Sequence, residues 1–391
     1  MQLKKLILYF LTWRILLFVF LFLAIQILPL QFNFLGGGLS NYLQKPYLWS
    51  WVNFDGEHYI DIAYSGYKPL TYFYFPFYPI LVRLTLPLFG SGFINYAYSG
   101  LFVSHVAFLL GLVGLIKLIR LDYQKEIAHL AVLLLLLFPT SFYFGSFYTE
   151  SLFFALTIWA FYFAGTKRWI LAGVLGALSS ATRVVGIAIF PALIVEAILQ
   201  WRDHKSNILI SLPSSFGVLL GLVSYASILG VKVGDPLEFF HSVDIFGPQR
   251  VSGFILFPQV IYRYVFKILT NIDYSYFPIV FSSWLEFLTA ILFGGLGVLG
   301  ILGLLRNLGK VYFVKLRPSY VVYLILAYLI PTFSGSFSSM PRYVLIIFPA
   351  FILSAVYMSK LPRLLQALII FFLVMSLSIS TMLFVRGYWV S

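Results

Sequence analysis

Runs of about twenty apolar residues, separated by short polar breaks, recur along this chain from Leu6 to Val385. A helix needs about that many to cross a bilayer core. In lipid, backbone polar groups must be satisfied inside their own segment, so each run predicts a helix. The runs at 6–28, 95–119, 127–146, 149–166, 169–185, 186–200, 207–230, 278–303, 319–337, 341–359 and 363–385 predict about eleven spans. The two at 169–200 are short enough to form one broken or tilted pair. Residues 75–89 are also apolar, but Pro76, Pro79, Arg83 and Pro87 interrupt them. They are placed as a helix lying in the membrane interface. A transmembrane β-barrel would show alternating polarity in segments of about ten residues, and the chain shows none.

Composition supports this pattern. Of 391 residues, 61% are hydrophobic and 10% charged, with a mean hydropathy of +0.96. A soluble domain carries about 25% charged residues; so little charge cannot cover a water-facing surface. The expected fold class is an all-α polytopic membrane protein, residues 1–391 forming a single integral membrane domain. The run Leu6–Leu30 is too long for a signal-peptide core and lacks a small-residue cleavage site, so it is read as a retained anchor. The absence of cysteine excludes a disulfide, a thiolate nucleophile and a Cys-based metal site.

The formal net charge of +13 bears on topology rather than on nucleic acid, because the basic residues cluster in short breaks between apolar runs. With the N-terminus inside, the cytoplasmic side receives Lys4, Lys5, Lys117, Arg120, Lys125, Lys167, Arg168, Arg202, Lys205, Arg306, Lys310, Lys315, Arg317, Lys360 and Arg363, against only Asp122, Glu126, Glu196 and Asp203. If 75–89 spanned, every later loop would change sides and this agreement would be lost. Two long stretches then fall outside, 31–94 and 231–277, the second with an amphipathic segment at 254–270. There Arg263 and Lys267 share a face suited to lipid headgroups. Arg14, inside the first span, is expected to snorkel toward the cytoplasmic interface. Gly294, Gly297, Gly300 and Gly303 form a small-residue stripe that suits close helix packing.

The first outer loop holds the candidate chemistry. Residues 51–80 contain eleven aromatic residues, and Asp55, Glu57 and Asp61 fall within seven positions. Aromatic residues belong at headgroup depth, and Asp55 could simply cap a helix. The functional alternative is a carboxylate among aromatic faces, placed to take a proton from a hydroxyl. On helical spacing Asp55 and Glu57 point about 200° apart, whereas Asp55 and His58 share a face.

The run Asp55-Gly-Glu-His-Tyr-Ile-Asp-Ile-Ala-Tyr-Ser-Gly-Tyr67, followed by Phe75-Pro-Phe-Tyr-Pro79, resembles the PIG-V family of mannosyltransferases. Later segments resemble it in the same order: Phe147-Tyr-Thr-Glu-Ser-Leu-Phe153, then Ala172-Gly173 through Ala181-Thr-Arg183 and Gly186. Gly234-Asp-Pro-Leu-Glu-Phe239 and Ser339-Met-Pro-Arg-Tyr343 complete the series. Phe54 stands where that family has Trp. The resemblance implies a GT-C bundle with interfacial helices in the first outer loop. It also implies transfer of a sugar, expected to be mannose, with inversion from a polyprenyl-phosphate donor to a lipid-linked or surface glycan acceptor on the non-cytoplasmic face. Asp55 is then the expected general base.

Glu57, His58, Glu150, Arg183 and Arg342 are the candidate substrate-binding residues. Glu150 opens a span, where the helix dipole favours a carboxylate; it could equally orient a substrate hydroxyl. Arg183, inside an apolar run, either holds the carrier phosphate or snorkels. Arg342 offers a guanidinium fork suited to phosphate oxygens. The chain has no HExxH, no Asp-x-Asp and no phosphate-binding Gly loop, so no metal and no cofactor is expected. The expected partners are the polyprenyl-phosphate sugar, a glycan or glycolipid acceptor and membrane lipid, without nucleic acid. The expected location is the cell membrane in a prokaryote or the endoplasmic reticulum membrane in a eukaryote. A transporter or lipid flippase is the rival reading, but such proteins carry ionisable groups near the midplane and often show inverted repeats. Here most acids lie in loops. A non-catalytic scaffold is the third.

Overall fold

The structure, a computed structural model, describes residues 3–69, 71–242, 255–305, 314, 316–333 and 335–390. Among the described residues every regular element is helical. In chain order the main helices are α1 (Leu3–Ile27), α2 (Asp55–Ser65), α3 (Phe77–Thr85), α4 (Phe93–Ile119), α5 (Lys125–Leu136), α6 (Glu150–Gly165), α7 (Trp169–Ser180) and α8 (Ile189–Arg202). They continue with α9 (Ile208–Phe216), α10 (Leu219–Lys232), α11 (Phe257–Arg263), α12 (Phe277–Leu304), α13 (Pro318–Thr332), α14 (Met340–Tyr343), α15 (Phe348–Met358) and α16 (Arg363–Val385). Proline lies in the first turn of α12, α13, α14 and α15, where its missing N–H costs nothing.

Among the described residues, six helical segments are long and apolar enough to cross a membrane: Leu3–Ile27, Phe93–Ile119, Val184–Arg202, Ile208–Lys232, Phe277–Leu304 and Arg363–Val385. A seventh exists if Met340–Ile346 and Phe348–Met358, bent by 86°, count as one. This is fewer than the eleven runs predict, and the reason is local. The run 127–146 stops being α-helical at Leu136 and passes Pro139 into a 3₁₀ turn, Ser141–Gly145. The run 169–185 ends as a helix at Ser180, ahead of Arg183. The run 319–337 stops at Thr332, next to Pro331. α6 has only 16 residues, about 24 Å of helix.

α6 is nearly buried all round and forms the centre of the bundle. It packs between α4 and α7, while α8 packs on α13, α5 on α15 and α1 on α16. Gly100 lets α4 approach the segment before α6; a Cβ there would lie 2.0 Å from the Phe147 ring. α1, α10, α12 and α16 expose apolar side chains such as Ile15, Phe22, Val223, Leu288 and Phe372. Such a surface suits lipid, and the chain is a multi-pass membrane protein. Within the glycine stripe, Gly297 and Gly300 face Leu324 and Val321 of α13. Gly294, Gly295 and Gly297 also line an apolar recess of about 280 Å³, together with Phe257 and Tyr328.

At one end of the bundle, Arg317 donates two hydrogen bonds to Asp122, at 2.7 and 2.8 Å, and one to Glu196 at 2.9 Å. The Ser319 hydroxyl donates to Glu196 at 2.6 Å. The three charged residues all come from the set that the charge pattern assigns to the cytoplasmic side. Arg14 does not snorkel toward the N-terminal end of α1. Its guanidinium lies over the Phe18 ring, 4.6 Å from the centroid, and over Trp51, at 4.2 Å. Both rings lie toward the other end of that helix, and cation–π contact there replaces hydration.

Candidate active site

The site is assembled from the first residues of α2, the first turn of α6, the break between α7 and α8, and α14. Asp55 begins α2 directly after Phe54, whose φ of 58° and ψ of −120° are unusual for a non-glycine residue. Such a conformation persists where its surroundings over-determine it. Here Asn53, fully buried, supplies much of the hold. Its Oδ1 accepts from Gly36 N–H at 2.9 Å, and its Nδ2 donates to Phe384 O at 2.9 Å. Its own carbonyl accepts from the Tyr148 hydroxyl at 2.7 Å. Phe54 N–H donates to Phe34 O at 2.8 Å. The backbone entering α2 is thus tied on three sides, which fixes the direction of Asp55.

Arg342 lies at the centre. Its Nη1 donates to Asp55 Oδ2 and its Nε to Glu150 Oε1. The guanidinium lies over Tyr148, 4.7 Å from the ring centroid, and over Tyr143, at 5.2 Å. Arg183 approaches from the opposite side; its Nη1 donates to the same Glu150 oxygen and to Thr149 Oγ1 at 3.2 Å. Two carboxylates and two guanidinium groups therefore form one continuous chain, formally neutral. Glu150 is fully buried and Arg342 is 5% exposed. Charges this deep are tolerated when paired. Glu150 Oε2 is buried and accepts no hydrogen bond among the described residues. Arg183 is less enclosed, and its Nε and Nη2 make no hydrogen bond there.

Tyr74 completes the surroundings of Asp55, donating to Oδ1 at 3.1 Å. Burial first, and the Asp55 charge second, hold its hydroxyl well above the ordinary phenol range, so it remains a donor. The His58 ring stacks on Tyr74 at 5.2 Å.

The Arg183 turn owes its shape to Gly186. A Cβ on that glycine would sit 2.6 Å from Ser180 Cα, so only glycine lets the chain fold back over the end of α7. Arg183 N–H donates to Ser179 O at 3.1 Å, and Phe77 N–H donates to Ala181 O at 3.2 Å. The Phe-Pro-Phe-Tyr-Pro run is thereby tied to the arginine turn.

Of the sequence-predicted residues, Asp55, Glu150, Arg183 and Arg342 meet, and His58 joins through Tyr74. Glu57 does not; it makes no hydrogen bond or ion pair with the cluster. Burial, and then the charge of Asp61, raise its carboxyl above the usual range. Asp61 itself pairs with Lys68 at 2.8 Å. Sequence reasoning missed Asn53 and Tyr74, which sit in a stretch so rich in aromatic and polar residues that no periodicity marks them. Among the described residues, no group of three or more His, Asp or Glu side chains is arranged to hold a metal.

Comparison with known proteins gives this geometry a family. No curated protein sequence matches the chain. Two solved structures are similar in fold, both of ArnT from Cupriavidus metallidurans, a GT-C glycosyltransferase. The one bound to undecaprenyl phosphate shares 15% identity at a TM-score of 0.53, covering 99% of this chain and 77% of that one. The apo form shares 16% identity at a TM-score of 0.52, covering 98% and 76%. The sequence profile described as Mannosyltransferase (PIG-V) matches residues 3–201, just over half of the chain. That segment carries Asp55, Glu150 and Arg183 and lacks only Arg342 of the four clustered charges, and with it the chain belongs to the PIG-V mannosyltransferase family.

Proposed function

We propose that this membrane glycosyltransferase moves mannose, with inversion and without a metal, from a polyprenyl-phosphate donor to a hydroxyl of a lipid-linked or surface glycan. The observation that carries the reading is the single chain of charges Asp55–Arg342–Glu150–Arg183, with one oxygen of Glu150 and two nitrogens of Arg183 making no hydrogen bond among the described residues. Asp55 takes the proton of the acceptor hydroxyl. That oxygen then bonds to the anomeric carbon from the face opposite the phosphate. The anomeric carbon–oxygen bond breaks, and its electron pair leaves with the polyprenyl phosphate. Arg183 binds the departing charge through its free nitrogens. Glu150 Oε2 accepts from a sugar hydroxyl, which satisfies a buried acceptor. Arg342, already forked between two carboxylates, chiefly fixes the direction of Asp55 and reaches the phosphate from that position. His58 and Glu57 stand on the acceptor side.

The site opens to the non-cytoplasmic face in this reading. Support comes from the two ion-pair groups. Residues assigned by the charge pattern to one side meet one another, Arg317 with Asp122 and Glu196, and Asp55 with Arg342. The shorter apolar helices then complete about eleven crossings within one domain, with Phe77–Leu88 in the interface. The enzyme resides in the cell membrane of a prokaryote or in the endoplasmic reticulum membrane of a eukaryote. Substituting Asp55→Asn and assaying mannose transfer from polyprenyl-phosphate mannose in membranes tests the reading. The expected loss is about 10²- to 10⁴-fold; full activity in a folded variant would overturn the assignment.

A further inference from the structure

α12 contains a single acid in 28 residues, Glu286. It is 7% exposed, in a helix otherwise apolar enough to span a membrane. A carboxylate there is expensive and is retained for what it holds. Its Oε1 accepts from the backbone N–H of Ser339 at 3.1 Å, and its Oε2 accepts from the Tyr264 hydroxyl. Ser339 is a non-glycine residue at φ 67°, in the left-handed region, immediately before α14. That helix has four residues, too few to be stable by itself, so its place is set by what flanks it.

The path to the catalytic cluster is short. The carbonyl of Ser339 accepts from Arg342 N–H at 3.1 Å and from Tyr343 N–H at 2.9 Å. On the other flank, Thr140 Oγ1 donates to Pro341 O at 2.6 Å. Glu286 and Thr140 therefore grip the two ends of the turn that delivers Arg342 to Asp55 and Glu150. Tyr264 links this grip to the segment after α11, and its ring packs against Phe337 at 5.1 Å.

We propose that Glu286 is a positioning residue for sugar transfer: it holds the Ser339 turn, so that Arg342 is fixed against Asp55. Through Tyr264 that hold depends on the segment 255–269. The inference rests on the reading above for its effect on transfer, whereas the hold itself can be measured separately.

The test uses the full chain in lipid nanodiscs with Glu286→Leu, Glu286→Gln, and Glu286→Leu combined with Arg342→Lys. Glutamine keeps an acceptor for Ser339 and offers an amide to Tyr264; leucine keeps neither. Backbone hydrogen exchange across residues 337–343 should rise on the order of tenfold in the leucine variant and little in the glutamine variant. Mannose transfer from polyprenyl-phosphate mannose should lose about tenfold to a hundredfold in kcat in the leucine variant, with the donor KM within about threefold. The glutamine variant should recover most of that loss. In the Arg342→Lys background the leucine substitution should add less than about threefold, because residues acting through one another are not additive. Unchanged exchange at 337–343 would overturn the proposal, as would equal losses in both backgrounds or a glutamine variant as impaired as leucine. Increased exchange in a chain whose unmodified form transfers no sugar would support the hold and overturn the transferase reading instead.

Discussion

Glu150 binds two guanidinium groups through one oxygen, and its other, buried oxygen has no hydrogen-bond partner among the described residues. Its removal therefore does more than delete a substrate contact. Glu150→Ala leaves Arg183 and Arg342 beside each other with Asp55 as the only carboxylate among them. Breaking a buried pair in this way costs about 3–5 kcal/mol, and a thermal melt in detergent should show a clear drop in Tm; an unchanged Tm would contradict the charge chain. Glu57 gives a prediction with the opposite sign. Its folded carboxyl is raised, by burial and then by Asp61, so the folded state holds its proton more tightly than the unfolded state does. Below the unfolded value of about 4.3 both states are protonated and the shift has no effect. As pH rises from there through the folded value, stability is lost, because the folded state must give up a better-held proton. Glu57→Gln should then raise Tm at neutral pH, and the gain should vanish near pH 4. A gain that persists at acid pH would rule out this cause. Single residues were legible in the sequence where an ionisable group interrupts an apolar run. Arg183 and Arg342 were found that way or by resemblance, and Glu286 carried the same signal unused. That both arginines converge on Glu150 could not be read, because contacts across 33 and 192 positions leave no trace in local pattern.

At the scale of the helix, the arginine turn depends on a contact too close for any side chain. Gly186→Ala would place a Cβ 2.6 Å from Ser180 Cα and 2.7 Å from its nitrogen. Both are backbone atoms, so the turn itself must move. Overpacking of this kind costs about 1–3 kcal/mol, and a displacement near 1 Å at Arg183 lowers transfer by about a hundredfold. Transfer kinetics should show the loss while the protein remains folded and monodisperse; wild-type kinetics would show that the turn does not set Arg183. Element boundaries follow the same logic of interruption. Two runs matched closely: 278–303 became Phe277–Leu304, with Pro278 in its first turn and the Glu286 carboxylate hydrogen-bonded, and 363–385 became Arg363–Val385. Runs crossing Pro139, Arg183 or Pro331 broke there. Hydropathy averages over such residues, whereas the backbone must satisfy its hydrogen bonds one residue at a time.

For the whole molecule, the profile-matched half does not contain everything that shapes the site. Residues 384–390 return to the first loop and to the turn before α6. Phe384 O and Val385 O accept from Asn53 and from Tyr42, and Val390 O accepts from the Tyr143 hydroxyl at 2.6 Å. Arg386 donates from Nε to Leu28 O at 3.0 Å and accepts from Gln31 N–H at 2.9 Å. The Trp389 ring meets Phe54 edge-on at 5.2 Å. These residues meet Phe54, which sets the Asp55 backbone, and Tyr143, which lies under Arg342. Truncation after Val385 removes the Val390 acceptor and the Trp389 ring together. The buried Tyr143 hydroxyl then loses its partner, at a cost of about 1–3 kcal/mol. A Tyr143→Phe chain, with no donor left to satisfy, should lose less Tm than the truncated one. The truncated chain should also transfer mannose more slowly, because Phe54, held at φ 58°, relaxes once a packing partner is gone. Transfer at the full rate by the truncated chain would show that the first loop holds Asp55 without the segment that follows α16.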